Sequence, residues 1–163
     1  MKQFQNLYAN INNLKKDIPQ LGRDAVIKNK ASILKLLQRD QLNQGVASDG
    51  GMLTGKRGTP YEDGHYKKKT QDYWAKRAPI PVKPKVQGTQ YNFEWTGKTF
   101  RMMDIKMNTS DFEIFSSDAK FEMLKEFYGN IFELTPENNH FINENVILPY
   151  IHEHLLKRLV QMY

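Results

Sequence analysis

The chain contains no cysteine, which excludes disulfides, thiolate metal ligation and a cysteine nucleophile together. It also lacks an apolar run of about 18 residues, the length that marks a membrane-spanning helix, and a charged hydrophobic leader with a small-residue cleavage site. The expectation is a soluble protein that stays inside the cell that makes it, so the glycosylation-type triplet Asn108-Thr109-Ser110 is read as a chance match. Histidine is scarce as well. His152 and His154 stand two apart on an expected helix and so point about 200° apart, too far to share a metal unaided. His65 falls in a long irregular stretch and His140 in an expected loop. With no Ser/His/Asp set and no isolated carboxylate pair, nothing supports an enzyme, and no cofactor or metal is implied.

What the chain does hold is an uneven distribution of charge. Its 163 residues are enough for one domain, and 39% hydrophobic against 26% charged residues allows a modest core. The net charge is +6, and between Asn43 and Tyr91 nine Lys/Arg face four acids, whereas the remaining 114 residues carry 15 basic and 14 acidic groups. The basic character therefore belongs to one segment. Residues 43–90 also hold seven of the ten glycines and four of the seven prolines, and no apolar period of either kind survives there. The expectation is a long extended arm, inserted between residues 1–42 and 91–163, which together make one domain, and ordered on assembly. Lys56, Arg57, Tyr61, Tyr66, Lys67, Lys68, Lys69, Tyr73, Trp74, Lys76 and Arg77 are its candidate contact residues for a neighbouring subunit, another partner or DNA.

Two catalytic-looking motifs are weighed against plainer readings. Gly50-Gly51-Met52-Leu53-Thr54-Gly55-Lys56 has the spacing of a phosphate-binding loop, but Arg57 stands where a magnesium-binding Ser or Thr is needed and Pro60 follows where a helix must begin. Ser117-Asp118-Ala119-Lys120 matches the Ser-x-x-Lys of some acyl-transfer enzymes, yet lacks the companion motifs, and helix capping explains the serine.

Outside the arm, periodicity predicts the elements. Leu7, Ile11, Leu14, Ile18, Leu21 and Ala25 form one helical stripe, with Pro19 inside it. Proline is tolerated in a first turn and costly in a helix interior, so the reading is a helix ending near Asp17, a bend, and a second helix over 19–42. Tyr91, Phe93 and Trp95, then Met103, Ile105 and Met107, then Phe112 and Ile114 alternate as strands, with Thr109-Ser110-Asp111 as a turn. Ser116-Ser117-Asp118 offers caps to a helix on which Phe121, Leu124 and Phe127/Tyr128 recur and which Gly129 ends, and Asn130 to Leu134 reads as a short strand or turn. A final helix opens at Pro149, burying Ile151, Leu155, Leu159 and Met162, with Leu156 and Val160 broadening the face. The fold class is α+β: an N-terminal helix pair and a C-terminal helix packed on one face of a small antiparallel sheet, with the arm attached.

This order of parts resembles the neck and tail-completion proteins of tailed bacteriophages, ring-forming subunits of the head–tail connector. The likeness rests on the amphipathic N-terminal helices followed by a variable loop and on Thr96-Gly97 entering a strand pair. It rests equally on Tyr128-Gly129-Asn130-Ile131-Phe132-Glu133-Leu134 after the hairpin, and on Asn145-Val146-Ile147-Leu148-Pro149-Tyr150 opening the last helix. It implies a structural virion protein, made in the host cytoplasm, that forms a homo-oligomeric ring. Its partners would be portal, neck or tail proteins, with non-specific contact to DNA in the channel and none to membrane. The competing expectation is a nucleic-acid-binding protein that uses the basic aromatic arm, with Tyr66, Tyr73 and Trp74 as stacking surfaces.

Overall fold

A computed structural model describes residues 2–58, 62–76, 84–92 and 97–161, with backbone alone for 2–7 and 161. The fold is mixed α+β and mostly helical. It divides into two compact units, Met1–Lys30 with His140–Tyr163, and Ala31–Asn139.

In the terminal unit one helix, α1 (Lys2–Lys28), packs against the C-terminal helix. The expected break before Pro19 is absent: Pro19 lies inside α1, and the helix yields instead at Asn29, whose backbone and side-chain N–H groups both donate to the Ala25 carbonyl. An interior proline costs about 3 kcal/mol. That is less than the burial of Leu14, Leu21, Ala25 and Val26 along the same helix supplies, at about 1.5–3 kcal/mol per large aliphatic side chain. Local propensity loses to packing.

The C-terminal helix also begins elsewhere than expected. Helical backbone starts at Pro136, runs as α6 (Pro136–Ile142) through a π-type segment (Asn143–Ile147) and continues as α7 (Leu148–Gln161). His140 is thus helical and not in a loop. Pro136 takes the first-turn position expected of Pro149, which sits within the run. A proline ring crowds the preceding turn and leaves a carbonyl without its N–H donor; the wider π turn directly before Pro149 relieves both. α1 and α7 run antiparallel, with Asp17 paired to Arg158 and Lys28 lying 5.2 Å above the Tyr150 ring, which stacks on His154 at 4.0 Å.

The central unit starts one residue into α2 (Lys30–Lys35) and continues through a π-type turn (Leu36–Gln41) and a short 3-10 turn (Leu42–Gln44), which bury Ile33, Leu34, Leu37 and Leu42. Strands β1 (Met103–Met107) and β2 (Phe112–Ser116) form the expected hairpin, pairing Met103 with Ser116, Ile105 with Ile114 and Met107 with Phe112. Asn108 and Asp111 close its turn through backbone and side-chain hydrogen bonds. Among the described residues the sheet has these two strands; Phe93 and Trp95 of the expected preceding strand lie outside them. Gly97 does not lead directly into a strand. It adopts φ 66° and opens a single turn of helix, α4 (Lys98–Arg101), before β1.

After β2, α5 (Phe121–Tyr128) ends at Gly129 as its sequence requires. Residues 130–134 form a turn and no strand, seating Ile131, Phe132 and Leu134 in the core, with the Phe121 and Phe132 rings 4.5 Å apart. Gln41 holds this turn. Fully buried, it donates to the Glu133 carbonyl at 2.7 Å and accepts from the Thr135 N–H at 3.0 Å and from the Asn138 amide at 3.3 Å.

The reading of residues 43–90 as an extended arm is corrected over the described part. Val46 bridges Met52, Leu53 is 1% exposed and donates to the Gly45 carbonyl, and the Lys56 N–H reaches the Phe127 carbonyl at 2.7 Å. Further on, His65 bridges Gln90, and a helix, α3 (Lys68–Ala75), is present. Gly45, at φ 70°, lies against Tyr91 so closely that a Cβ there would stand 2.6 Å from the Tyr91 carbonyl oxygen. Single anchors separated by glycine turns leave no periodic trace, which is why the sequence pattern reads as unstructured.

Candidate functional site

Within the central unit, four pieces of chain enclose a cleft of about 660 Å³. Among the described residues, Tyr66, Lys67, Lys69, Thr70, Tyr73 and Trp74 come from 66–74; Lys85 and Tyr91 follow; the α4 turn supplies Gly97 to Phe100; and Asp118, Lys120, Met123, Leu124, Phe127 and Tyr128 come from the end of the hairpin and α5.

The floor is a tyrosine cluster. Tyr66 meets Tyr91 edge-on at 4.9 Å, and Tyr91 meets Tyr128 at 6.1 Å. The Tyr66 hydroxyl donates to the Asn92 side-chain oxygen at 3.0 Å and accepts from the Asn92 N–H at 3.2 Å. Lys85, only 5% exposed, bonds the same Asn92 oxygen and lies 5.0 Å over the Tyr66 ring. Burial pushes the Tyr66 phenol up to about 12, the Asn92 N–H opposing this in part.

One wall is α3, where Tyr73 and Trp74 meet edge-on at 5.2 Å and Tyr73 is 41% exposed. The other is tied to the hairpin by a polar chain. The Thr99 hydroxyl donates to Asp118 at 2.6 Å, the Ser116 hydroxyl donates to the Thr99 carbonyl, and the Asp118 and Lys120 N–H groups are accepted by Ser116 and Asp118. The oxygen-rich Ser116-Ser117-Asp118 stretch therefore positions a wall and does not cap α5, which has no side-chain cap. The Thr99 hydrogen bond above all, then the Lys120 N–H and the charges of Lys98 and Lys120, hold the Asp118 carboxyl below its ordinary range against the opposing effect of burial.

Of the residues singled out from sequence, Tyr66, Lys67, Lys69, Tyr73 and Trp74 converge on the cleft. Lys56, Arg57, Lys68 and Lys76 do not line it, and Tyr61 and Arg77 lie outside the described residues. Sequence reasoning missed Lys98, Phe100, Lys120 and Tyr128, which reach the cleft from elements about 30 to 60 residues away in the chain and carry no shared local pattern. Among the described residues no cluster of three or more His, Asp or Glu side chains is placed to hold a metal, and no helix is long and apolar enough to cross a membrane. No protein-family model, curated protein or solved structure gives a significant match to this chain.

Proposed function

We propose that this chain is a structural subunit of the virion neck of a tailed bacteriophage, assembling into a ring between head and tail through which DNA passes. It would contact copies of itself and portal, neck or tail proteins, and would have no enzymatic role. The sequence resemblance supplies the family, and one structural observation supports assembly. The paired terminal helices leave large apolar side chains in solvent: Ile11 is 41% and Ile18 39% exposed on α1, and Leu156 is 48% and Val160 76% exposed on α7. Leu156 and Val160 were expected to broaden a buried face, but Ile151, Leu155 and Leu159 reach only half-burial and these two less. A face of this kind fits the side-to-side, closing contacts of a ring. The described part of 43–90 makes its contacts within its own unit, and in this proposal the terminal helices carry the intersubunit contact.

Sedimentation and native mass measurement of the full chain test this reading. A closed oligomer of one size, visible as rings by electron microscopy and reduced to monomer by the paired change Leu156→Asp and Val160→Asp with helicity retained, is the expected result. A chain that stays monomeric at its highest soluble concentration, with or without those changes, overturns it.

A further inference from the structure

We propose that the cleft of the central unit binds single-stranded nucleic acid, laying a base against its aromatic walls and the adjoining phosphates along its lysine rim. The inference is independent of the ring reading, which concerns the other unit.

Three observations carry it. A space of about 660 Å³ is far larger than a packing defect and falls in the range of ligand sites. Its lining offers flat rings, Tyr73 and Trp74 from α3 together with Phe100 and Tyr128 from later in the chain, and a base presents a stacking face whatever its identity. Among the described residues the lining is rich in positive charge: Lys67, Lys69, Lys98 and Lys120 are exposed, Lys67 pairing with Asp63 at 3.7 Å, while the one carboxylate in the described lining, Asp118, is buried and held by Thr99.

The placement of these cations carries a cost. Lys67, Lys68 and Lys69 sit at the N-terminus of α3, whose first turn has no acidic residue. Positive side chains are disfavoured at the positive end of a helix, and a polyanion there reverses the sign of that interaction. An acidic peptide would satisfy the lysines but has no use for the ring walls, and a duplex hides its base faces. A single strand uses both features.

The test is anisotropy of a labelled oligothymidylate, about ten nucleotides long, titrated with the full chain at low and physiological salt. Binding is expected with a log–log salt slope near −3 if all four rim lysines meet phosphates, at about −0.7 each. Trp74→Ala should weaken binding about tenfold while Trp74→Phe keeps most of it, which separates loss of a ring from loss of fold. Lys69→Gln and Lys120→Gln should each lower the slope, whereas Lys68→Gln and Lys76→Gln, outside the cleft, should lower it less. Competition assigns the ligand. Equal displacement by polyglutamate of matched charge would overturn the proposal in favour of an acidic peptide, and equal displacement by duplex would reduce it to general charge. Displacement by a mononucleotide at the same concentration would replace the strand with a free nucleotide. No binding at low salt would end it outright.

Discussion

The two units reach their structures by opposite routes. The terminal unit is built from long amphipathic helices whose stripe is plain in the sequence, yet it leaves Ile11, Ile18, Leu156 and Val160 substantially exposed. The central unit contains the stretch with no period at all, and it buries Leu53, Tyr91, Gln41 and even Lys85 to 5% exposure or less. Periodicity reports which residues share a face. It does not report whether the chain itself covers that face. Burial in the central unit is achieved residue by residue, through glycine turns and specific hydrogen bonds, and so a few positions there should dominate stability.

The sharpest test of that contrast is Gln41→Ala. It removes a side chain that satisfies the Glu133 carbonyl and the Thr135 N–H in a fully buried setting. Each polar group left unpaired costs about 1–3 kcal/mol, so a loss of roughly 3–5 kcal/mol is expected in urea unfolding. A loss under about 1 kcal/mol would mean the 130–135 turn is held by its apolar residues alone. Next in size is Gly45→Ala, which forces a side chain into left-handed backbone and against the Tyr91 carbonyl at 2.6 Å. Gly50→Ala is its control, with φ 85° and open space around the position. The control should cost about 1 kcal/mol for backbone alone, and Gly45→Ala clearly more. Equal costs would show that the 43–53 turn does not press on Tyr91 in solution.

The terminal unit should respond in the other direction. Pro19→Ala restores a helix hydrogen bond without touching the buried stripe, and should stabilise the chain by about 1–3 kcal/mol, read as a higher urea midpoint. An unchanged midpoint would imply that α1 is already broken there in solution, as local propensity alone requires.

What the sequence made legible follows from the same physics. The two strands of the hairpin with their turn, the helix after them and its glycine stop depend on neighbours a few residues apart, and these were readable. Pro19 and Pro149 misled because their cost is local and the packing that offsets it is not. Half of the cleft was visible as a basic, aromatic run at 66–74. The rest of the described lining, with Lys98, Phe100, Lys120 and Tyr128, is brought there by the turn after Gly97 and by the hairpin between the two segments, and no spacing rule connects them.

The smallest effect concerns the polar chain that ties the α4 turn to the hairpin end. The Asp118 carboxyl is depressed below its ordinary value of 3.8, first by the Thr99 hydroxyl, so it binds its proton more weakly in the folded chain than in the unfolded one. A group of this kind contributes stability that is fully present above its unfolded pKa and is lost as pH falls through the lower folded value. Thr99→Val removes the largest cause of the depression while leaving the Lys120 N–H in place. It should therefore flatten the loss of stability below pH 4 and lower stability slightly at pH 7, where the charged carboxylate loses its hydroxyl donor. Urea unfolding of both chains at pH 3 and pH 7 reads this as a gap between them that narrows on acidification. A gap that is constant across that window would place the contribution of Thr99 in packing, and the cleft wall would then be positioned by shape and not by the carboxylate.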